Sequence, residues 1–265
     1  MRMTRPAPSV GPLPGTRLKE AATLTSAAFV DSPSYRHIFE GLTKCERLAA
    51  LEWLFERNFE LRKDMARAAF DADRRLICSF LLEPPDAPEI SLWQMIRSGL
   101  LMLPVRFGRR PFLRLLSVKE YYDGCFREVF RDGALDRSRY CTLERMVVSP
   151  ACQGRGVGSA CLGAALQECD DRGLGVVLTT QEPRNARFYG KLGFEVLAEQ
   201  PATFSPAVTD WIMIRHPPTG AVFEENRAAE APAAAARSSL ARAAVVGVAA
   251  SSLAWLVLRR WRRQS

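Results

Sequence analysis

The most informative segment of the sequence reads Gln153-Gly154-Arg155-Gly156-Val157-Gly158 and follows an apolar run ending at Val148. Glycines at a strand-to-helix turn let successive backbone N–H groups point into one concavity, and the helix N-terminus adds a positive dipole. The turn therefore predicts a site for a phosphate group. It lacks the Lys-Ser/Thr pair of a nucleoside triphosphate loop, and Ser159 stands where the dinucleotide fingerprint has its third glycine.

Strands and helices alternate around this turn, from Cys141 to Trp211. The pattern therefore predicts a mixed α/β sheet. The predicted strands are Leu143–Val148, Val176–Thr180, Phe194–Leu197 and Val208–Ile214, and the predicted helices are Gly158–Arg172 and Asn185–Leu192.

A second motif follows about thirty residues later and reads Asn185-Ala186-Arg187-Phe188-Tyr189-Gly190-Lys191-Leu192-Gly193-Phe194. Together the two motifs resemble the GNAT acetyltransferases. Gln153, Gly156 and Gly158 match the acyl-CoA signature Gln/Arg-x-x-Gly-x-Gly/Ala, and the second motif matches Asn-x-x-x-Tyr-x-x-x-Gly-Phe. The resemblance implies an α/β GNAT (acyl-CoA N-acyltransferase) fold, with a mixed, mostly antiparallel central sheet flanked by helices.

The upstream half is similar to the puromycin N-acetyltransferase-like branch of that family. The likeness rests on the run from Ala28 to Pro33 with Tyr35, and on Trp93 with the later Gly99-Leu100-Leu101. It covers roughly residues 17–200. It implies the architecture and leaves the acceptor substrate open.

The resemblance implies acetyl-CoA as co-substrate. Its pyrophosphate would lie on the loop, and its pantetheine arm would pair with a strand that splays from its neighbour. Asn185 would hydrogen-bond the arm, with helix capping as the alternative. Tyr189, four residues on and so on the same helical face, would be the general acid that protonates the leaving thiolate. The implied cofactor-binding residues are Met146, Val147, Val148, Gln153, Gly154, Arg155, Gly156, Val157, Gly158, Asn185 and Tyr189.

The acceptor amine would attack the thioester directly, so its proton must be removed first. Exposing the lone pair of an amine with a pKa of about 10.4 costs roughly 4 to 5 kcal/mol at pH 7. Glu144 is the candidate base, because it stands two residues before Met146 and would share its strand face. The alternatives are a water chain, and a glutamate that only forms a salt bridge with Arg145.

The upstream segments predict helices and one hairpin. Residues 1–16 predict a disordered arm, because four prolines interrupt them. The apolar segment from Ile90 to Leu116 predicts two short helices that form core or, alternatively, an open apolar substrate wall. The other predictions are helices Arg17–Val30, Cys45–Leu61 and Val118–Arg131, and a hairpin of Ala66–Phe70 with Leu76–Leu82.

The 265 residues, 48% hydrophobic and 25% charged, rule out wholesale disorder and a multi-span transporter. The seven cysteines form no C-x-x-C pair, and neither histidine has metal-ligand spacing from them. We therefore expect reduced cysteines, mostly in the core, no metal site and a cytosolic environment for the catalytic domain.

The C-terminal sequence predicts a membrane attachment. The GNAT domain would span residues 17–216, followed by an Ala/Glu-rich linker over 217–237, a transmembrane tail anchor over 238–260 and a basic tail over 261–265. The arginines beyond the span oppose the positive-inside rule, but a domain without a signal should stay in the cytosol. An amphipathic helix lying on the bilayer and a helix docked on the domain are the alternatives.

The net charge of +8 belongs to the chain ends. Residues 1–19 hold four basic residues and residues 237–265 hold six, with no acid in either stretch, so the rest of the chain carries −2. Nucleic acid is therefore not expected as a partner, and a lipid bilayer is.

Two classes of function follow. The first is an acetyl-CoA-dependent N-acetyltransferase acting on a small amine, an aminonucleoside-like compound or a protein amine near a membrane. The alternative is a catalytically silent, membrane-tethered GNAT-fold protein that binds CoA as a sensor or adaptor.

Overall fold

The computed structural model describes residues 9–88, 90–131 and 133–218. Residues 9–88 and 96–218 belong to one compact unit, and residues 90–95 belong to a second. The first unit is built on a seven-stranded sheet in the order β1-β2-β3-β4-β5-β7-β6. The strands are β1 Val10–Pro12, β2 Ala66–Phe70, β3 Leu76–Glu83, β4 Tyr140–Val148, β5 Gly175–Thr180, β6 Glu195–Ala202 and β7 Ser205–Arg215.

Neighbouring strands are antiparallel throughout, except that β4 and β5 are parallel. The sheet is therefore mixed and mostly antiparallel, as predicted. The α-helices are α1 Leu18–Phe29, α2 Pro33–Ile38, α3 Lys44–Leu61, α4 Leu92–Arg97, α5 Leu103–Phe107, α6 Arg109–Val129, α7 Val157–Asp171 and α8 Pro183–Gly190.

Helices cover both faces of the sheet. Side chains alternate between faces along a strand, and on β5 Val176 and Leu178 pack with α7 and α8 while Val177 packs with α6. Helices α1 and α3 bury their apolar residues in a separate cluster that includes Leu81 of β3. The sheet thus carries one helical layer on each side.

β4 and β5 separate soon after they begin. They pair only from Tyr140 to Thr142, opposite Gly175 to Val177. Beyond this point β4 pairs only with β3, and β5 only with β7. The edge of β4 that faces β5 therefore lacks a strand partner from Leu143 to Val148, which is the splay that the family resemblance implied.

The expected disordered arm is wrong for residues 9–16. Val10–Pro12 forms the edge strand β1, paired antiparallel with Arg67–Ala69 of β2, and Gly15–Arg17 form a 3₁₀ turn. Proline is tolerated here because an edge strand leaves one row of backbone groups unpaired. Residues 1–8 of the predicted arm lie outside the described residues.

The middle of the chain also differs from expectation. The helix predicted from Val118 begins at Arg109 and passes through Pro111. Proline fits there because the N–H groups of the first helical turn have no intrahelical acceptor. The expected apolar core is confirmed only in part: Leu103 is buried, whereas Trp93, Leu101, Met102 and Val105 are exposed.

Among the described residues no helix is long and apolar enough to cross a membrane. The predicted linker from Thr219 onward, the anchor over 238–260 and the basic tail over 261–265 lie outside those residues.

Candidate functional site

The glycine-rich turn between β4 and α7 forms an open cradle of backbone amides. Gly154 and Gly156 have φ angles of +70° and +78°, a region that L side chains rarely adopt. A Cβ at either position would meet no atom within 4 Å, so the space above the turn is open. Within the part of the chain that is described, the N–H groups of Gly154, Arg155 and Gly156 donate no backbone hydrogen bond.

The first turn of α7 extends this cradle. Gly156 is its N-cap and Val157 its first residue, and the leading N–H groups of a helix have no acceptor within it. Nε2 of Gln153 donates to the carbonyl oxygen of Val148 at 3.1 Å, which ties the turn to the end of β4. The unpaired amides and the helix dipole both favour an anion, so these residues fit the pyrophosphate of a CoA molecule.

Gly158 has a different role from Gly154 and Gly156. A Cβ at this position would lie 3.1 Å from Cγ2 of Val148 and 3.5 Å from the ring of Phe188. The glycine therefore allows α7, the end of β4 and α8 to pack closely. This close packing brings the first sequence motif, at the start of α7, into contact with the second motif, in α8.

β4 carries a bulge beside this cradle. Val147 is opposite Ser79 and Glu144 is opposite Leu81, so β4 has two residues where β3 has one. One of these two residues is Arg145, whose φ is +54°. A bulge changes which side chains share a face of the strand.

The bulge overturns the argument that placed Glu144 on the same face as Met146. Leu143 and Met146 belong to the cluster that packs with α7 and α8, although they are three positions apart in the chain. Glu144 interacts instead with Arg145, whose guanidinium carbon lies 5.7 Å from the ring centroid of Phe55 in α3. Glu144 therefore faces the α1–α3 side of the sheet.

Glu144 forms a salt bridge with Arg145, as one of the alternatives predicted. The two side chains are 31% and 21% exposed, so the pair is accessible from solvent. Burial disfavours the charged form of Glu144, but Arg145 and Arg62 more than offset it and lower its pKa below the ordinary value. Glu144 is thus a carboxylate at neutral pH and a weak base.

Tyr189 lies on the other side of the sheet, in the cluster shared with Met146 and Val148. Its ring packs edge-on against Phe188 and Phe194, with centroids 5.2 and 5.6 Å away. Burial, and then the nearby Cys78 thiol, raise the pKa of Tyr189 above its ordinary value. The hydroxyl therefore keeps its proton at neutral pH, as a general acid must.

Asn185 is half-buried on α8, four residues before Tyr189. The helix begins at Pro183 with Glu182 as its N-cap, two residues earlier than predicted. Asn185 is therefore not the capping residue, and the capping alternative is wrong.

Sequence reasoning missed a buried polar network between α2, α6 and the sheet. The Tyr122 hydroxyl donates to Oδ1 of Asp210 at 3.1 Å and accepts from Nε2 of Gln181 at 2.9 Å. Oγ of Ser34 donates to Oε1 of Gln181 at 2.9 Å. Asp210 is fully buried, and its Oδ2 has no partner among the described residues. The available signal was a lone acid in the otherwise uncharged strand pattern from Val208 to Ile214.

The cysteines are free, and five of the seven are buried, which confirms the prediction of mostly core cysteines. Cys141 and Cys169 lie with their sulfur atoms 4.0 Å apart. Over the described ranges, no group of three or more His, Cys, Asp or Glu residues is arranged to hold a metal ion.

Comparisons with known proteins agree with this geometry. Residues 120–196 match the family profile described as an acetyltransferase (GNAT) domain. A solved histone acetyltransferase HPA2 and related acetyltransferase from Corynebacterium glutamicum is 19% identical, with a TM-score of 0.56, and the match covers 81% of this chain and 98% of that one. The C-terminal condensation domain of Ebony, solved with beta-alanyl-dopamine, is 13% identical, with a TM-score of 0.53 and coverage of 78% and 98%.

The profile match runs from the second half of α6 through β4, the glycine-rich turn, α7, β5 and α8, and so includes the elements that build the cradle and carry Tyr189. The two structural matches cover most of the described residues, but their sequence identity is low, so they are evidence for the fold alone. This chain therefore has the GNAT fold, with a GNAT acetyltransferase domain matched over residues 120–196.

Proposed function

We propose that this protein is an acetyl-CoA-dependent N-acetyltransferase whose acceptor amine attacks the thioester directly. The observation that carries the proposal is the gap between β4 and β5, bordered by the amide cradle and with Tyr189 in the cluster behind β4. Acetyl-CoA would supply the activated acyl group. The chain would bind the CoA moiety, orient the amine and move protons.

The free edge of β4 suits an extended chain that carries amides. Met146 to Val148 have no strand partner on the side facing β5, so their backbone groups are available to the pantetheine arm. The arm would then run from the cradle at Gly154–Gly158 into the gap. This path brings the thioester toward the bulge at Arg145.

Tyr189 would protonate the leaving thiolate. No hydrogen bond joins its hydroxyl to another residue of the described part of the chain, so the proton is free to be donated. The raised pKa keeps that proton in place until the thiolate forms. Asn185, one helical turn earlier, would hold the CoA arm.

Glu144 would bind the acceptor as an ammonium group, and a water chain would take the proton from the amine. Arg145 and Arg62 lower the pKa of Glu144, whereas an amine has a pKa of about 10.4, so direct transfer of the ammonium proton to Glu144 would be uphill. A carboxylate of this kind attracts an ammonium group, and solvent takes the proton onward. The lowered pKa thus favours the water chain over Glu144 as the sole base.

The acceptor would be a cationic amine of the kind that the puromycin N-acetyltransferase-like branch takes, or a protein amine near a membrane. The proposal includes a membrane attachment through residues 238–260, with the catalytic domain facing the cytosol. Its support is the uncharged stretch from Ala243 to Leu258, which four arginines follow within five residues.

A direct test incubates the full-length protein with acetyl-CoA and a panel of polyamines, arylamines, aminonucleosides and peptides with free N-termini. Mass spectrometry of the acceptors is the better readout, because seven free cysteines would disturb a thiol assay. We expect at least one amine to gain an acetyl group. Acetyl-CoA binding without acetylation of any class would instead support the silent sensor.

The membrane part needs its own experiment. Carbonate extraction of membranes from expressing cells should leave the protein in the pellet if residues 238–260 span the bilayer. Release into the supernatant would contradict the span.

A further inference from the structure

The surface around α5 combines exposed apolar side chains with unpaired arginines. Ile96, Leu101, Met102 and Val105 are 45%, 40%, 54% and 76% exposed. Large exposed apolar residues close together mark an interaction site on a soluble domain. We call these four residues, with Arg57 and Arg106, the α5 surface.

The same segment is basic and contains no acid. Residues 90–118 include five arginines and neither aspartate nor glutamate, although the chain between the two basic ends is slightly acidic. Arg114 pairs with Glu40, whereas Arg97, Arg106 and Arg110 form no ion pair with another described residue. This part of the domain therefore presents uncompensated positive charge.

A cavity of about 370 Å³ opens in the α5 surface. Its lining residues are Trp53, Arg57, Gly99, Met102, Val105 and Arg106. The guanidinium carbons of Arg57 and Arg106 lie 4.0 and 5.7 Å from the ring centroid of Trp53, so both charges sit over one aromatic ring. No carboxylate lines this cavity.

Arg57 has spare hydrogen-bonding capacity. Its Nη1 donates to the carbonyl oxygen of Trp53 at 2.9 Å, but its buried Nε has no partner in the described part of the chain. An arginine in this state suits a phosphate oxygen, which can accept from two guanidinium nitrogens at once. Met102 and Val105 beside it are apolar, so the cavity matches a group with an anionic head and hydrocarbon next to it.

We propose that the α5 surface docks on an anionic lipid bilayer, with Met102 and Val105 among the acyl chains and a lipid phosphate between Arg57 and Arg106. Arginines around a patch of exposed aliphatic side chains suit a lipid interface, where the charges meet phosphates and the aliphatic groups meet hydrocarbon. The surface would hold the domain on the membrane in a defined orientation. This inference goes beyond the proposed function and does not depend on the C-terminal anchor.

The experiment measures hydrogen–deuterium exchange of the full-length protein on vesicles of phosphatidylcholine with and without phosphatidylserine. Residues 237–265 carry six arginines and no acid, so tail binding also responds to phosphatidylserine, and the α5 surface is therefore read only from the exchange of residues 96–113. We expect protection of residues 96–113 only with phosphatidylserine. Val105→Asp should remove that protection, and Arg106→Gln should weaken vesicle binding roughly fivefold.

The matched control is Val196→Asp, which introduces the same charge at a valine that is 51% exposed on β6. It should leave the protection unchanged. Three results would overturn the proposal: equal protection on both vesicles, protection that survives Val105→Asp, or protection by inorganic phosphate or single-stranded DNA without lipid.

Discussion

The cradle between β4 and α7 and the bulge at Arg145 border the same gap, but under the proposed function they would recognise ligands in different ways. The cradle uses backbone amides exposed by Gly154 and Gly156. The bulge uses side chains, since Glu144 meets Arg145 there on the opposite face of β4. Backbone recognition suits the invariant CoA moiety, and side-chain recognition suits an acceptor that differs from one enzyme to another.

Gly156→Glu should cause the largest effect. The change places a carboxylate in the amide cradle at a residue with a φ of +78°, so strain and repulsion should weaken CoA binding at least about a hundredfold. Isothermal titration calorimetry with CoA checks this. Gly163→Glu is the control, because it adds the same charge within α7 where a Cβ meets open space. Tight CoA binding by Gly156→Glu would show that the cradle is not part of the CoA-binding site.

Tyr189→Phe tests the acid beside the cradle. Loss of the hydroxyl should lower kcat about a hundredfold with little change in the KM for acetyl-CoA, because the leaving thiolate then lacks its proton donor. Steady-state kinetics at saturating amine measure it. Tyr140→Phe is the control, since the Tyr140 hydroxyl bonds Nδ1 of His216 instead. Wild-type turnover by Tyr189→Phe would show that the acid is another group.

Glu144→Gln tests the bulge. The variant keeps the shape and removes the charge, so kcat/KM for a cationic amine should fall about tenfold, mainly through KM. Because its pKa is lowered, Glu144 is already ionised throughout the neutral and alkaline range, and the alkaline rise of the pH–rate profile should stay in place. A shift of that rise would instead identify Glu144 as the base. Glu120→Gln, at an exposed pair with Arg127, is the control.

Asp210→Asn should have the smallest effect, on stability. Burial raises the folded pKa of Asp210 above its ordinary value of 3.8. Asp210 therefore makes a favourable contribution to the free energy of unfolding below about pH 3.8, and this contribution is lost as the pH rises through the folded pKa. Asparagine removes the unpaired buried charge, so Tm at pH 7.5 should rise by about 2 to 4 °C, or roughly 1 kcal/mol.

Thermal unfolding monitored by circular dichroism at pH 4 and pH 7.5 checks this last prediction. The increase in Tm caused by Asp210→Asn should be larger at pH 7.5 than at pH 4. If the Asp210→Asn variant instead has a lower Tm than the wild type at pH 7.5, the Asp210 charge is compensated within the network of Tyr122 and Gln181.

The motifs were predictable because their chemistry is local. Glycines with positive φ, a preceding apolar strand and a following amphipathic helix all lie within the segment from β4 to α7, so the sequence predicted their order and spacing. Val176–Thr180 likewise formed its expected strand, extended by one residue to Gly175.

The face of Glu144 was not predictable from alternation. A bulge adds one residue and inverts the pattern, and nothing in the sequence around Arg145 marks it. The exposure of Met102 and Val105 matches only the alternative of an open apolar wall. The sequence did not decide between wall and core, because apolar density predicts burial only where another element provides a covering surface. The Asp210 network depends on Ser34, Tyr122 and Gln181 meeting from three separate elements.

Local sequence patterns were therefore enough to predict the strand-to-helix cradle, the position of Asn185 and Tyr189 on one helix, and the mixed sheet. These features depend on hydrogen bonds and side-chain periods within a few residues of each other. Three features emerged only from the three-dimensional packing: the point at which β4 separates from β5, the side of the sheet that Glu144 faces, and which residues of the α5 surface are exposed. Each of these depends on strand pairing and packing between residues that are far apart in the chain, which a local pattern does not encode.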